Sequence, residues 1–401
     1  MKLLHVVPTY VPAWRHGGPV AAVHGLCKAL ARRGHEVTVF TTDVHGAGTL
    51  DVPRCAAVAL DGVTVWYFPV AFPRRLYRSP AMGAALRRVA AFDLVHLHSV
   101  FLWPTAAAAR AAARAGVPYI VAPRGMLVGE LLRQRGRLRK RLWIGLVERR
   151  TLAAAAALHA TSQLEAAEAA RLGLPLPPIH VVPNGVELDA WDAAREAEVA
   201  APVRAALARR PLLLFLGRVS WKKGLDRLIA ALAAVPGATL AVAGNDEEGY
   251  RAALERLAGE AGVAARVLHL GPVQGADKAA LLAGADALVL PSYSENFGNV
   301  VLEAMAAGLA VVVTPEVGLA GTVRASGAGV VCDGDPPRLA AALRGLLADG
   351  AARREMGRRG AQAAAADFGW DAVAARMEEV YDGILAGAAP RRRLPAAATA
   401  R

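Results

Sequence analysis

Short apolar runs recur along the chain, separated by stretches in which apolar residues return every three or four positions. Residues 3–7 (LLHVV) read as a first strand. After the loop Gly17-Gly18-Pro19, Val20, Val23, Cys27 and Leu30 fall on one helical face, and Gly34 closes that helix. Strands are predicted at 36–41, 63–68, 94–97, 119–122 and 158–160, and Ser162 with Glu165 has the spacing of a capping box. The pattern then restarts. A buried strand at 211–217 is followed by a helix at 225–234, a strand at 239–243 and a helix at 250–261, with further strands at 267–270, 287–290 and 310–313. Val373, Met377, Val380 and Ile384 mark a last helix over 371–385.

Apolar strands alternating with amphipathic helices predict parallel sheets covered on both faces. The expected fold is α/β, with two doubly wound Rossmann-like domains facing each other across a cleft. Residues 1–190 form the first and 205–370 the second, the polar stretch 187–210 is their junction, and 387–401 is a disordered tail. Ligands of such sheets bind beyond the carboxyl ends of the strands, so the loops after strands are where chemistry is expected.

The length of 401 residues, 55% hydrophobic, agrees with two domains. No apolar run approaches the roughly 20 residues that span a bilayer, and His5 and Pro8 interrupt the N-terminal run too early for a signal peptide. Cys27, Cys55 and Cys332 are too scattered for a disulfide framework or a metal site, which fits a reducing cytoplasm. The net charge of +13 serves solubility, or attraction to anionic substrates or a membrane surface. Residues 133–141 (RQRGRLRKR), followed by Leu142-Trp143-Ile144, read as a contact for an anionic membrane or a phosphorylated acceptor, or as a solvated basic helix. Basic residues are spread along the chain without interleaved aromatics, which argues against a nucleic-acid partner.

Five loops carry candidate chemistry. The stretch SENFGNVVLEAMAAG (294–308) follows a strand and opens a helix. The unpaired N–H groups of a helix start, with about half a unit of positive charge, suit a phosphate, and Gly298 permits close approach. Glu295 and Glu303 are placed to accept hydrogen bonds from sugar and ribose hydroxyls. The competing reading makes Glu295 a partner of the helix dipole and Glu303 a surface acid. In Gly217-Arg218-Val219-Ser220-Trp221-Lys222-Lys223-Gly224, Arg218 and Lys223 offer two cations to a diphosphate; a solvated loop is the competing reading, weakened by Arg218 standing directly at the strand end. His96 and His98 end a strand and point to one side of it, with His98 nearer the end; a structural histidine is the competing reading. Pro123-Arg124-Gly125 and the Gly17-Gly18-Pro19 loop also follow strands, as ligand loops or as tight turns. Asp333-Gly334-Asp335 is read as a helix N-cap before Pro336 and Pro337, not as a metal site. No metal site is expected.

Together, Glu295 and Glu303 in E-x7-E spacing, the Gly217-Arg218…Lys223-Gly224 loop, Pro183-Asn184-Gly185, the glycine-rich first loop and a histidine after a first-half strand resemble the retaining glycosyltransferases of the GT-B fold, family four. The stretches PRGML (123–127) and SENFGNVVLEA resemble the branch that builds bacterial surface polysaccharides. The resemblance runs from Leu3 to about Leu385. It implies a nucleotide-sugar donor, a UDP- or GDP-sugar, and neither metal nor other cofactor. In the second domain Arg218 and Lys223 would hold the diphosphate, Glu303 the ribose and Glu295 the transferred sugar. Phe297, Gly298 and Asn299 would line the pocket through their backbone. In the first domain Gly17 and Gly18 would approach the donor phosphate, His98 would stand beside the reacting carbon, and Arg124 would meet the acceptor. The resemblance also implies that the last helix, 371–386, packs back on the first domain. The expected activity is transfer to a glycan or lipid-linked acceptor at the cytoplasmic face of the plasma membrane. A nucleotide-sugar epimerase and a non-catalytic nucleotide-sugar sensor are the alternatives.

Overall fold

The computed structural model describes residues 1–14, 17–127, 143–188, 198–246 and 248–387. The basic run 133–141 and the tail from 388 lie outside them. The chain divides into two compact units. The first comprises Met1–Ala160, Ala169–Val182 and the chain from Ala374; the second comprises Thr161–Glu168 and Pro183–Val373. No helix of the described residues is long and apolar enough to cross a membrane.

The first unit is built on an eight-stranded sheet: β1 (Lys2–Val6), β2 (Glu36–Thr42), β5 (Ala57–Leu60), β6 (Val63–Phe68), β7 (Leu94–His98), β8 (Tyr119–Ala122), β9 (Ala157–Ala160) and β10 (Ile179–Val181). A small hairpin, β3 (Val44–His45) with β4 (Gly48–Thr49), stands apart. The spatial order is β10-β9-β8-β7-β1-β2-β6-β5, parallel throughout except that β5 runs antiparallel to β6. Every residue of β7, β8 and β9 is buried, as expected of strands covered on both faces. Helix Gly18–Arg32 buries Val20, Val23, Cys27 and Leu30, the predicted face.

The second unit carries β11 (Leu212–Leu216), β12 (Thr239–Ala243), β13 (Val267–Gly271), β14 (Ala287–Leu290), β15 (Val311–Val313) and β16 (Gly329–Val331), all parallel, in the order β13-β12-β11-β14-β15-β16. Counted from β11, this is the 3-2-1-4-5-6 order of a dinucleotide-binding sheet, whose strand order reverses between β11 and β14. The corresponding reversal in the first sheet lies between β1 and β7. The architecture is thus α/β with two Rossmann-like domains, as the pattern predicts.

Several details differ from expectation. Glu165 does not close a reciprocal box on Ser162. Its carboxylate accepts from the Thr161 amide at 2.6 Å and hydroxyl at 2.9 Å, while Ser162 Oγ accepts from the Glu165 amide. The junction 187–210 is not all linker, since Ala201–Leu207 is a helix. Helix Trp103–Arg114 leaves no apolar period because alanine fills most of its positions, and its buried face includes Ala108, Ala109 and Ala112. In helix Gly350–Asp367, glycines and an alanine (Gly357, Gly360, Ala364) are the buried residues. A Cβ on Gly357 would stand 1.9 Å from the Gly308 carbonyl oxygen, so backbones pack against each other where side chains would otherwise give a signal. Asp335 caps helix Pro336–Ala348 by accepting from the Arg338 amide, and Asp333 pairs with the Arg338 guanidinium; the D-x-D stretch is a helix start.

Candidate active site

In the second unit, the loops after β11, β14 and β15 are sewn together at the reversal point. Trp221–Lys223 forms a 3-10 turn closed by Gly224 in the left-handed region (φ 68°). A Cβ there would lie 2.0 Å from the Pro291 carbonyl oxygen, so only glycine lets the first loop lie against the second. The Tyr293 amide donates to the Lys222 carbonyl at 2.8 Å. The third loop grips the second from the other side: Glu295 N–H donates to Glu316 O at 3.0 Å, Gly318 N–H to Glu295 O at 2.9 Å, and Leu319 N–H to Phe297 O at 3.0 Å.

This framework brings Lys223 Nζ into an ion pair with the carboxylate of Glu295, each side chain less than a fifth exposed. Gly298 (φ 96°) then caps helix Asn299–Ala306, and the Asn299 side chain accepts from Asn184 Nδ2 at 2.9 Å. Glu303 sits one turn into that helix and pairs with Lys278 Nζ at 2.7 Å. Phe297 is 4% exposed and packs its ring into the core of this unit, leaving its backbone to the loop. Arg218 stands at the end of β11 with an exposed side chain. The structure therefore gathers Lys223, Glu295, Gly298, Asn299 and Glu303 around the helix start and its first turn.

Pro183-Asn184-Gly185 also serves this unit. Asn184 reaches Asn299, and a Cβ on Gly185 would stand 2.5 Å from the Trp370 ring. Asn184 belongs to the Pro183-Asn184-Gly185 motif, which gave it no role of its own, and Lys278 and the clamp residue Gly318 lie in no motif.

In the first unit, Gly17 (φ 72°) precedes helix Gly18–Arg32, which has Pro19 in its first turn. His98 ends β7, and it is not a lone histidine. His5 on β1 pairs in register with His96 on β7, and His159 on β9 reaches over β8, where Ala122 lies opposite His98 and leaves room. The rings of His96 and His98 stack with centroids 4.3 Å apart.

The hydrogen bonds fix the protons. The Val182 carbonyl can only accept, so His159 donates from Nε2 at 2.8 Å. His159 Nδ1 then accepts from His96 Nε2 at 3.2 Å, and His96 Nδ1 accepts from the Tyr381 hydroxyl at 2.8 Å. Arg124 donates to His98 Nδ1 at 3.2 Å, and His98 donates from Nε2 to His5 Nδ1 at 3.0 Å. Burial holds all four imidazoles neutral and is the largest cause for each. His5 and His159 are pushed down to about 3, with Arg124 adding to both. His98 is lowered by burial and then Arg124, and His96 by burial and then its neighbouring rings.

His5, His96 and His98 bring ring nitrogens within 4.8 Å of one another, a cluster that their sequence separation hides. They do not suit a cation. His98 donates from Nε2 to His5 Nδ1, the His98 ring lies stacked on both His5 and His96, and the Arg124 guanidinium stands against the group. His98, 1% exposed, uses both ring nitrogens within the protein.

The turns beyond β7 and β8 are strained. Ser99 (φ 72°), Phe101 (φ 62°) and Arg124 (φ 55°) are non-glycine residues in the left-handed region, a departure that gathers at functional sites. Thr105 Oγ1 donates to Ser99 O at 3.1 Å. The carboxylate of buried Glu148, whose pKa burial raises, accepts from the Phe101 amide at 2.6 Å and from Trp143 Nε1 at 2.9 Å.

Residues 201–363 match the family described as glycosyl transferases group 1, and residues 17–185 match the glycosyl transferase 4-like domain. The D-inositol 3-phosphate glycosyltransferase of Xylanimonas cellulosilytica is 36% identical over 397 residues, covering 91% of each chain. The chain belongs to the group 1 glycosyltransferases. Two solved structures share its GT-B fold. Sucrose-phosphate synthase from Thermosynechococcus elongatus superimposes with a TM-score of 0.75 at 23% identity, covering 96% of this chain and all of the other. Anabaena HepE, solved with UDP and glucose, gives 0.73 at 19% identity with the same coverage. As a glycosyltransferase, the chain needs a place for a departing group and one for the incoming hydroxyl, and the loops above are the groups it offers.

Proposed function

We propose that this glycosyltransferase moves a sugar from a UDP- or GDP-sugar to a glycan or lipid-linked acceptor of a surface polysaccharide, with retention at the anomeric carbon and without a metal. The carrying observation is the Lys223–Glu295 pair beside the amino end of helix Asn299–Ala306, at the strand-order reversal of a dinucleotide-type sheet. When the bond between the anomeric carbon and the diphosphate oxygen breaks, negative charge grows on the diphosphate. Lys223, Arg218 and the amides after Gly298 meet that charge. Glu295, released by Lys223, accepts from hydroxyls of the transferred sugar, and Glu303 from the ribose. The acceptor oxygen attacks on the face that the diphosphate leaves, and its proton passes to the departing phosphate.

The first unit takes the acceptor in this reading. Gly17 and Gly18 approach the donor phosphate, Arg124 meets the acceptor, and His98 stands beside the reacting carbon as a neutral, hydrogen-bonded imidazole. PRGML at 123–127 favours a polysaccharide acceptor. A phosphorylated polyol is the second reading, favoured by the full-length match to an enzyme named for D-inositol 3-phosphate. Location at the inner face of the plasma membrane, with residues 133–141 touching it, belongs to the same proposal. Charge reversal across that run should release the protein from anionic vesicles.

The test is a panel of UDP-, GDP- and ADP-sugars, with D-inositol 3-phosphate and polyprenyl-diphosphate-linked sugars as acceptors. Nucleotide release that requires a lipid-linked acceptor, with the product retaining the donor's anomeric configuration, supports the proposal. Transfer to D-inositol 3-phosphate alone selects the second reading. Isomerised donor without acceptor would mean an epimerase, and binding without turnover a sensor.

A further inference from the structure

Lys278 lies in helix Gly275–Gly284, which follows β13, and nothing in the reading above uses it. Its Nζ donates to Glu303 Oε1 at 2.7 Å, with side chains 30% and 22% exposed. The other carboxylate oxygen, Glu303 Oε2, is shielded from solvent and has no hydrogen-bond partner among the described residues. An acceptor left in that state is costly, and such groups persist where a ligand supplies the missing donor. A pair this open to water stabilises a fold little, so stability alone does not explain why the lysine is there.

The pair's charges cancel, which suits neutral hydroxyls better than a phosphate dianion. It also sets an ammonium donor beside a carboxylate acceptor. A vicinal diol, in which each hydroxyl both donates and accepts, is the complementary group.

We infer that Lys278 is a positioning and specificity residue of the donor site: its ammonium fixes the Glu303 carboxylate, and the two together read the ribose diol of the nucleotide. This rests on the reading of the second unit as a nucleotide-sugar site.

The experiment measures binding of UDP and 2′-deoxy-UDP to the full chain by calorimetry, for the wild type and for Lys278→Met and Lys278→Arg. The corresponding guanosine or adenosine pair replaces them if the donor panel selects that base. The wild type should prefer the ribonucleotide by about tenfold or more. Lys278→Met should weaken UDP about tenfold and 2′-deoxy-UDP less than twofold, so that the preference collapses. Lys278→Arg should recover most of it. Thermal unfolding without nucleotide checks folding, and Lys278→Gln serves the same comparison if the Met variant does not fold. Equal weakening of both nucleotides, unchanged UDP binding, or a wild type blind to the 2′-hydroxyl would overturn the inference and leave the donor reading standing. A wild type that binds no nucleoside diphosphate would overturn both.

Discussion

The hydroxyl of Tyr381 donates to Nδ1 of His96 at 2.8 Å, across 285 residues of sequence, and both side chains are fully buried. Tyr381→Phe keeps the ring and leaves His96 Nδ1 a buried acceptor with no donor. The variant should lose about 1–3 kcal/mol of stability. Urea unfolding followed by circular dichroism measures it, and an unchanged midpoint would show that the hydroxyl matters little.

The four neutral histidines make the first unit acid-sensitive. Each has a folded pKa below its unfolded value near 6.5, two of them at about 3. Between those limits the unfolded chain binds more protons, so stability rises with pH there. It is fully present above pH 6.5 and is lost as pH falls, by about 1.4 kcal/mol per pH unit for each of His5 and His159 down toward pH 3, with His96 and His98 adding in the same direction. Unfolding free energies measured from pH 7.5 to 5 should fall below pH 6.5. Replacing His159 with Gln should flatten that slope, and an equally steep variant would count against the assignment.

Lys223 and Glu295 separate stability from chemistry. Removing either partner strands a charge that is less than a fifth exposed. Lys223→Met and Glu295→Gln should each lower transfer by roughly a hundredfold or more, with some loss of stability. The double variant removes both charges and should regain stability without regaining transfer. Recovery of turnover in the double variant would mean that the pair is a structural feature only.

Gly318 tests the loop clamp. A Cβ at this position would lie 2.1 Å from the Asn296 carbonyl oxygen. Gly318→Ala should push the Glu295 loop away from its third strand-end neighbour, costing about 1–3 kcal/mol and weakening donor binding. Normal nucleotide affinity in the variant would show that the loop position does not set the site.

The fold was legible because fully apolar strands and helices with apolar faces leave distinct periods, as in β11 and in helix Leu225–Leu232 with Leu225, Leu228, Ile229 and Leu232 buried. It was illegible where backbones touch, as at Gly357 and Gly308, or where alanine fills both faces, as in Trp103–Arg114. In the site, Lys223 and Glu295 stood out in loops that follow apolar strands, and Glu303 by its spacing from Glu295. Lys278 did not, since a lysine on an amphipathic helix looks like any solvated one until its partner is seen. The histidines were a matter of topology. His5, His96 and His159 lie on strands far apart in sequence, and only the order β9-β8-β7-β1 sets them side by side. Tyr381 reads as one more residue of the last helix until that order is known.

The late position of Tyr381 also bears on how the protein is made. His96 leaves the ribosome long before its partner is synthesised: at roughly 5–20 residues per second, an interval of about 15–60 s. Through that time His96 Nδ1 lacks the donor it has in the finished fold, and the places that Ala374, Met377 and Tyr381 will take are unfilled. The earliest-made half therefore cannot finish folding until the helix that carries Tyr381 has been made, and a chain stalled before that helix would release a first half that is incomplete however well its own strands have paired.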